Sequence, residues 1–545
     1  MGGSEPTLLN GGLSVVIAGG DIRTVVLSGT EVLRGLSYPV RDADWGTCLV
    51  DTVTERTGPN IYERDFADRL GRFSGTFRAE LTDDRHLAAD VEIRFEANMM
   101  INRAGFTLLH PIKGVAGTAM TITHSDGGTK QVKFPRLISP AQPAVDIVGL
   151  AHDIGDVRVS IAMEGETFEM EDQRNWSDAS YKTYCRPLSR PRPFAVKHGD
   201  TLHQRVRVSL SSANDGAITD TAAAQTIKGA LPQIMLAHEP SLSTPAALAD
   251  FAGLPVQFRC SGHTATADLE AIAVHGPATL EIVYEDEDDL ERLTTRCSQA
   301  GLTPQRIVAL QAAYLKSHQP DGPWPDVPPH AGLEVLRTAF PGAAIGGGSL
   351  TNFTELNRCR PDPDAVDFVT FGNTAIVHAA DDLSVRQTLE ALPDIFASAR
   401  HIASGKPLHL GLLSIGMRSN PYGDAVAANP DRIRMAMAMD DPRQSTEFAA
   451  AYAVGVLAAA AEAGVESLAL AMPDGPLGAN GRPLEALIRH AHALSGSPVT
   501  VTHDQDLIVI EGQGGGMAAN LSGDALDFKN RSIAAECAIV WGELS

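Results

Sequence analysis

At 545 residues the chain has the length of three to four domains at about 150 residues each, which excludes a peptide, a lone repeat unit or a disulfide-stapled miniprotein. With 43% hydrophobic and 20% charged residues it reads as globular, neither disordered nor membranous. Its 44 basic and 67 acidic side chains leave a net charge of -23 with no basic stripe among aromatics, which argues against a nucleic-acid partner.

Nothing at Met1 to Leu9 has the basic-then-apolar form of a secretory signal. From Leu13 to about Ser212 short alternating runs such as Leu13-Ser-Val-Val-Ile17, Val91-Glu-Ile-Arg-Phe95 and Gln204-Arg-Val-Arg-Val-Ser-Leu210 are punctuated by Gly, Pro and Asp. That alternation predicts an N-terminal antiparallel, sandwich-like β domain over 1–212. An Ala/Thr-rich change of composition then predicts a linker or bridging helix over 213–249.

From 250 to 495 apolar runs alternate with helical stretches. Strands are predicted at Pro255 to Arg259, Thr279 to Tyr284, Arg306 to Leu310, Ala343 to Gly346, Asp367 to Gly372, Leu408 to Ile415 and Ser467 to Ala471. Helices are predicted at Asp288 to Ala300, His330 to Phe340, Val385 to Ser398 and Thr446 to Ala463. Seven such strands favour a TIM (β/α) barrel over an open sheet, and the span Pro483 to Ser497 reads as helix with no clear eighth strand after it. Gly346-Gly-Gly348 and Gly512-Gln-Gly-Gly-Gly516 lack the spacing of a dinucleotide fingerprint. The most apolar stretch, Phe448 to Ala461, is Ala-rich and shorter than the ~20 residues of a membrane span, so it reads as a buried helix of a cytoplasmic protein. A small C-terminal β domain is expected over 496–545. The six cysteines, with no C-x-x-C pair, read as free thiols of a reducing compartment.

There is no G-x-S-x-G, H-E-x-x-H, Walker or EF-hand motif, so neither metal nor cofactor is expected and the chemistry falls to carboxylates, His and Arg on loops. The densest cluster runs from Glu169 to Tyr184 and holds Glu171, Asp172, Arg174 and Trp176. Carboxylates and amides beside rings grip a polyol, and equally build a polar network that fixes a loop. After the fourth predicted barrel strand, Glu355, Asn357 and Arg358 fall on the active face of a barrel. Glu355 is there a general acid or base if burial raises its pKa, or half of a Glu-Arg salt bridge. His378 with Asp381 or Asp382 forms a proton shuttle, while Asp382 and Asp441 also read as helix caps. Arg418 and Asn420 reach the same rim, and Arg443 and Gln444 follow Asp441. The run Glu285 to Asp289 reads as a solvated helix start, and His490 and His492 as surface residues.

The runs Val40-Arg-Asp-Ala-Asp-Trp-Gly-Thr47, Asn102-Arg-Ala-Gly-Phe-Thr-Leu-Leu-His-Pro111, Gly114-Val-Ala-Gly117 and Phe168 to Tyr184 resemble the D-apionate lactonase family. So do Phe353-Thr-Glu-Leu-Asn-Arg358, His378-Ala-Ala-Asp-Asp382 and Asp441-Pro-Arg-Gln444, more weakly. The resemblance implies a β domain, a TIM barrel and a C-terminal β domain. It also implies hydrolysis of D-apionolactone to D-apionate in bacterial breakdown of apiose. Its motif residues are Glu355, Asn357, Arg358, His378, Asp381 and Asp382, with Glu171, Asp172, Arg174 and Trp176 from the first domain.

On chemical grounds Glu355 is the base toward water, Arg358 with Arg418 the oxyanion or carboxylate stabilisers, and His378 the proton donor. Glu171, Asp172, Arg174 and Trp176 are assigned to sugar hydroxyls, with Asn357, Asp381 and Asp382 also at the substrate. Three positions depart from the family pattern. Met472-Pro-Asp-Gly475 replaces an expected E-T-x-G, with Asp474 as stand-in, and Ala380 and Ser419 replace aromatics. A paralogue acting on another sugar-acid lactone, a glycoside hydrolase pairing Glu355 with Asp474, and a non-catalytic sugar-binding protein therefore remain alternatives, and homo-oligomerisation stays open.

Overall fold

The computed structural model describes residues 6–43, 45–212, 225–276 and 278–542. It divides into two compact units, Met1–Gln173 with Ser180–Thr221, and Arg174–Ala179 with Ala222–Ser545.

Two nine-stranded antiparallel sheets and a three-stranded one make up the first unit. Burial alternates along the strands, as in Leu13–Ala18 and Val157–Glu164, because successive side chains leave a strand on opposite faces and one face meets a core. His110 and Tyr181 of one sheet meet His152 and Phe134 on the side of the other, with His110 and His152 ring centroids 5.9 Å apart and those of Phe134 and Tyr181 4.9 Å apart.

A closed barrel of eight strands forms the centre of the second unit, each strand parallel to its neighbours and in chain order. The strands are β1 (Gln233–His238), β2 (Val256–Ser261), β3 (Thr279–Tyr284), β4 (Arg306–Gln311), β5 (Ala344–Asn352), β6 (Phe368–Thr374), β7 (His409–Ser414) and β8 (Ser467–Ala471). The helices are α1 (Thr266–His275), α2 (Glu287–Gln299), α3 (Leu333–Ala339), α4 (Phe353–Arg358), α5 (Asp382–Ala403), α6 (Glu447–Ala463) and α7 (Pro483–Ala493).

The strand missing from the sequence reading is the first, β1, which lies within the span taken for a linker. Its six residues follow Pro232 with no helix before them, so no strand-helix alternation marks them. The rest of that span also holds Gln225–Ala230, which pairs with Pro498–Asp504 at the edge of a five-stranded sheet. Residues 213–224, where a bridging helix was expected, lie outside the described residues.

That sheet completes the C-terminal β domain with Leu507–Gly512, Gly515–Asn520 and Ala538–Gly542. The Ala-rich stretch is α6, and Phe448 to Ala461 are all buried. Small side chains let backbones approach closely: a Cβ at Gly229 would lie 2.3 Å from the Ala461 carbonyl oxygen. Among the described residues no helix is long and apolar enough to cross a membrane. All six cysteines are unpaired. His490 is a correction to the sequence reading: it is 3% exposed on the inner face of α7.

Candidate active site

In a (β/α) barrel the loops after the C-terminal strand ends build the reactive face. Here β5 turns into α4 with no intervening loop, Asn352 being the N-cap. Glu355 then falls at the third helical position, where a carboxyl reaches back to the first turn. Its Oε2 accepts from the Asn352 amide at 3.0 Å and the Thr351 hydroxyl at 3.0 Å, Oε1 is shielded from solvent, and the Ser317 hydroxyl is a further hydrogen-bond partner of the carboxyl. Burial pushes the Glu355 carboxyl above its ordinary value; the Ser317 hydroxyl, the two Oε2 donors and Arg358 oppose this in part. Glu355 and Arg358 line one cleft with Tyr314, His318, Trp324 and Ser349.

Arg358 lies over the Trp176 ring at 5.1 Å, and the same indole meets the His378 ring edge-on at 5.7 Å. His378 Nδ1 sits 2.5 Å from Asp178 Oδ2, so its carboxylate partner is Asp178. Asp381 caps α5 by accepting from the Ser384 amide at 2.8 Å. Asp382 pairs with Arg434 at 2.8 Å and Arg443 at 3.2 Å, and Asp441 caps the short 3-10 turn before α6. The helix-cap reading of Asp382 thus belongs one residue earlier.

A second cleft opens on the other side of Thr351, inside the barrel mouth. Its lining includes Arg259, Glu281, Asn352, Asn373, Thr374 and Arg418. Arg259 Nε donates to Glu281 Oε2 at 2.7 Å, and Arg418 donates to Glu239 at 2.9 Å and to Glu281 at 3.3 Å. Burial works to raise the Glu239 carboxyl, but Arg418 and then Arg259 hold it below its ordinary value. Burial, then the charge of Arg259, lowers the Arg418 guanidinium. Arg418 therefore lines a different cleft from Glu355 and Arg358.

Asn357 Nδ2 donates to Asn175 Oδ1 at 2.8 Å, and Arg174 is fully buried against Asp394 at 2.7 Å. Asp474 accepts from the Thr244 amide at 2.8 Å and its hydroxyl at 2.7 Å, and lines neither cleft. In the first unit Glu171 pairs with Lys182, and Asp172 accepts from the Ser139 amide at 3.2 Å.

A family model described as the D-apionate lactonase N-terminal domain matches residues 4–213, and one described as its TIM barrel domain matches 218–503. The chain belongs to the D-apionate lactonase family. It is 37% identical over 517 residues to the D-apionate lactonase of Brucella anthropi, covering 87% of this chain and 83% of that protein. Among solved structures, a GalM/aldose epimerase homologue from C. elegans is 8% identical and covers 38% of this chain and 99% of its own, at a TM-score of 0.26. An α-galactosidase from Geobacillus stearothermophilus, also 8% identical, covers 94% of this chain and 91% of its own, at 0.27.

Sequence reasoning passed over Arg259, Glu281, Glu239, Asn352 and Asp178. A signal for two of them was present. Strands buried on both faces read as continuous apolar runs, so Arg259 within β2 and Glu281 within β3 stand out as charges on the barrel interior. Counting β1 moves Glu355 from after a fourth strand to after a fifth, and Asp474 from after a seventh to after an eighth. The strand-four and strand-seven parallel with retaining glycosidases is lost with that count.

Proposed function

We propose that this protein hydrolyses a sugar-acid lactone, D-apionolactone to D-apionate in apiose catabolism, with Glu355 as general base. The observation that carries the reading is the Glu355 carboxyl: one oxygen held by two donors and the other shielded from solvent, in a cleft with a guanidinium. A base fixed in this way takes a proton from water while its orientation is maintained. The resulting hydroxide forms the new C–O bond at the lactone carbonyl, and Arg358 offsets the negative charge that develops there. Collapse breaks the ring C–O bond, and the departing alkoxide takes a proton from His378, held by Asp178 and sharing the Trp176 ring with Arg358. The rings of Trp324 and Tyr314, 6.5 Å apart and near parallel, suit the C–H faces of a sugar.

The test is proton release in a pH-stat with D-apionolactone and a panel of aldonolactones, with and without EDTA. Acid release by wild type and its loss in Glu355→Gln are expected. Near-normal turnover in the folded variant removes Glu355 as the base, and silence of wild type on every lactone removes the substrate class.

A further inference from the structure

The loop after β4 makes a short 3-10 turn, Ala312–Leu315, and continues with Lys316, Ser317 and His318. Lys316 and His318 line the cleft that holds Glu355 and Arg358, while Ser317 between them is half-buried and outside that lining. The loop is tied to the one that follows β7. The Ser317 amide donates to the Pro421 carbonyl at 2.9 Å, and Lys316 Nζ donates to the Gly423 carbonyl and lies 3.8 Å from Asp424. The backbone of Ser317 is thus anchored independently of its own side chain.

The hydroxyl of Ser317 meets both groups to which the hydrolysis assigns a charge. Arg358 Nη1 donates to Ser317 Oγ at 3.4 Å, and the same hydroxyl is a hydrogen-bond partner of the Glu355 carboxyl. Proton counting fixes the direction of the second bond. A guanidinium has donors and no acceptor, so toward Arg358 the serine oxygen accepts, and its single proton is left for Glu355. The order is Arg358, Ser317, Glu355, each donating to the next. A bond donated to a carboxyl group favours its charged form. Thr351 and the Asn352 amide hold Glu355 from its own end of β5 and α4, whereas Ser317 reaches it from a different loop. Besides Arg358, the titratable groups around Glu355 are Cys359 after α4, Lys316 and His318 on the β4 loop, and Tyr422 on the β7 loop.

We propose that Ser317 is a positioning residue for the hydrolysis: its hydroxyl, accepting from Arg358 and donating to Glu355, holds the base in its ionised, accepting form beside the guanidinium. This rests on the reading of Glu355 as general base. Ser317 acts through Glu355 and sets how far into acid the enzyme works; it does not touch the lactone.

The experiment is the pH dependence of kcat and kcat/KM on D-apionolactone, following the remaining lactone as its hydroxamate, for wild type, Ser317→Ala, Ser317→Thr and Glu355→Gln. Loss of one hydrogen bond to a charged group is worth about one pH unit. In Ser317→Ala the acid limb of kcat/KM should therefore move up by about that much, so that the rate on the limb falls about tenfold while KM and the high-pH plateau stay within about threefold. Ser317→Thr keeps the hydroxyl and should keep the wild-type limb. A residue that only held the loop would lower the rate equally at every pH and leave the limb in place. An unmoved limb in a folded Ser317→Ala protein overturns the proposal, as does a limb displaced equally in Ser317→Thr. Where alanine impairs folding, Ser317→Cys, near-isosteric with a weak donor, gives the same readout. Full turnover by Glu355→Gln refutes the base and the positioning role with it. An inactive Glu355→Gln beside an unmoved limb in Ser317→Ala refutes the positioning role alone.

Discussion

Glu355→Gln separates catalysis from stability because the two effects have opposite signs. General-base assistance is worth ~10²–10⁴-fold, or about 3–5 kcal/mol of barrier, and glutamine cannot supply it. Stability follows from the raised carboxyl. A group whose folded pKa lies above its unfolded value stabilises while protonated, below the unfolded pKa, and that contribution is lost as pH rises through the folded pKa. At neutral pH the buried carboxylate is therefore a cost of about 1.4 kcal/mol for each unit by which its pKa is raised. Glutamine carries no charge, and its carbonyl still accepts from Thr351 and the Asn352 amide. Tm is expected to stay level or rise by roughly 2–4 °C per kcal/mol as kcat collapses. Wild-type kcat/KM should climb with pH through an apparent pKa above the ordinary carboxylate range, since the base acts ionised. Calorimetry and the pH-stat give both readouts from one preparation. A variant that melts 5 °C lower while keeping a tenth or more of the rate would make Glu355 a structural carboxylate and refute the reasoning.

Three further outcomes follow from burial and pairing. His110 and His152 are buried, and burial pushes them down to about 3 and about 4, so their stability contribution is full above the unfolded pKa of 6.5 and is lost as pH falls toward those values. The loss is on the order of 3 kcal/mol per ring by pH 4; fluorescence-monitored acid titration should show it, and His152→Phe should roughly halve it. Arg174→Gln removes the charge-assisted bond to the partly exposed Asp394 and should cost about 1.5–3 kcal/mol in urea unfolding. Asp474→Asn should leave kcat/KM for lactone within threefold, because both Asp474 oxygens are occupied by Thr244; a hundredfold loss would restore Asp474 to the reactive centre.

Regular patterns made most of the fold legible. Thr279–Tyr284 and Ser467–Ala471 coincide with the predicted strands to the residue, since short, mostly apolar runs bounded by polar turns leave little choice. β1 escaped because it is a short apolar segment whose neighbours in the sheet, β2 and β8, lie on either side of the whole barrel in sequence. Helix α4 escaped because its six residues carry no helical period; it is set by the cap at Asn352 and by Glu355 reaching back. At the site, Glu355 and Arg358 were readable as a pair because they sit one helical turn apart. His378 was readable but its partner was not: Asp381 is near in sequence, whereas Asp178 is 200 residues away. Proximity in the chain was a misleading guide for a residue whose partner is set by tertiary structure.

The same lesson applies to the segment Arg174–Ala179, which belongs to the second unit although the strands on either side of it belong to the first. Four of its residues reach four different places on the second unit: Arg174 to Asp394 in α5, Asn175 to Asn357 in α4, Ser177 to Asn373 in β6, and Asp178 to His378 in the loop between β6 and α5. Each link alone is worth about 1 kcal/mol net where neutral and about 1.5–3 kcal/mol where charged, and together they fix the backbone on both sides of Trp176. That indole then has little freedom, and it is the surface on which Arg358 and His378 rest. The Arg358 guanidinium is held from the barrel side as well, its Nη1 donating to Ser317 Oγ and to the His318 carbonyl at 3.4 Å each. The polar cluster around residue 174, read from sequence as either a sugar grip or a loop-fixing network, is at these positions the second in its contacts.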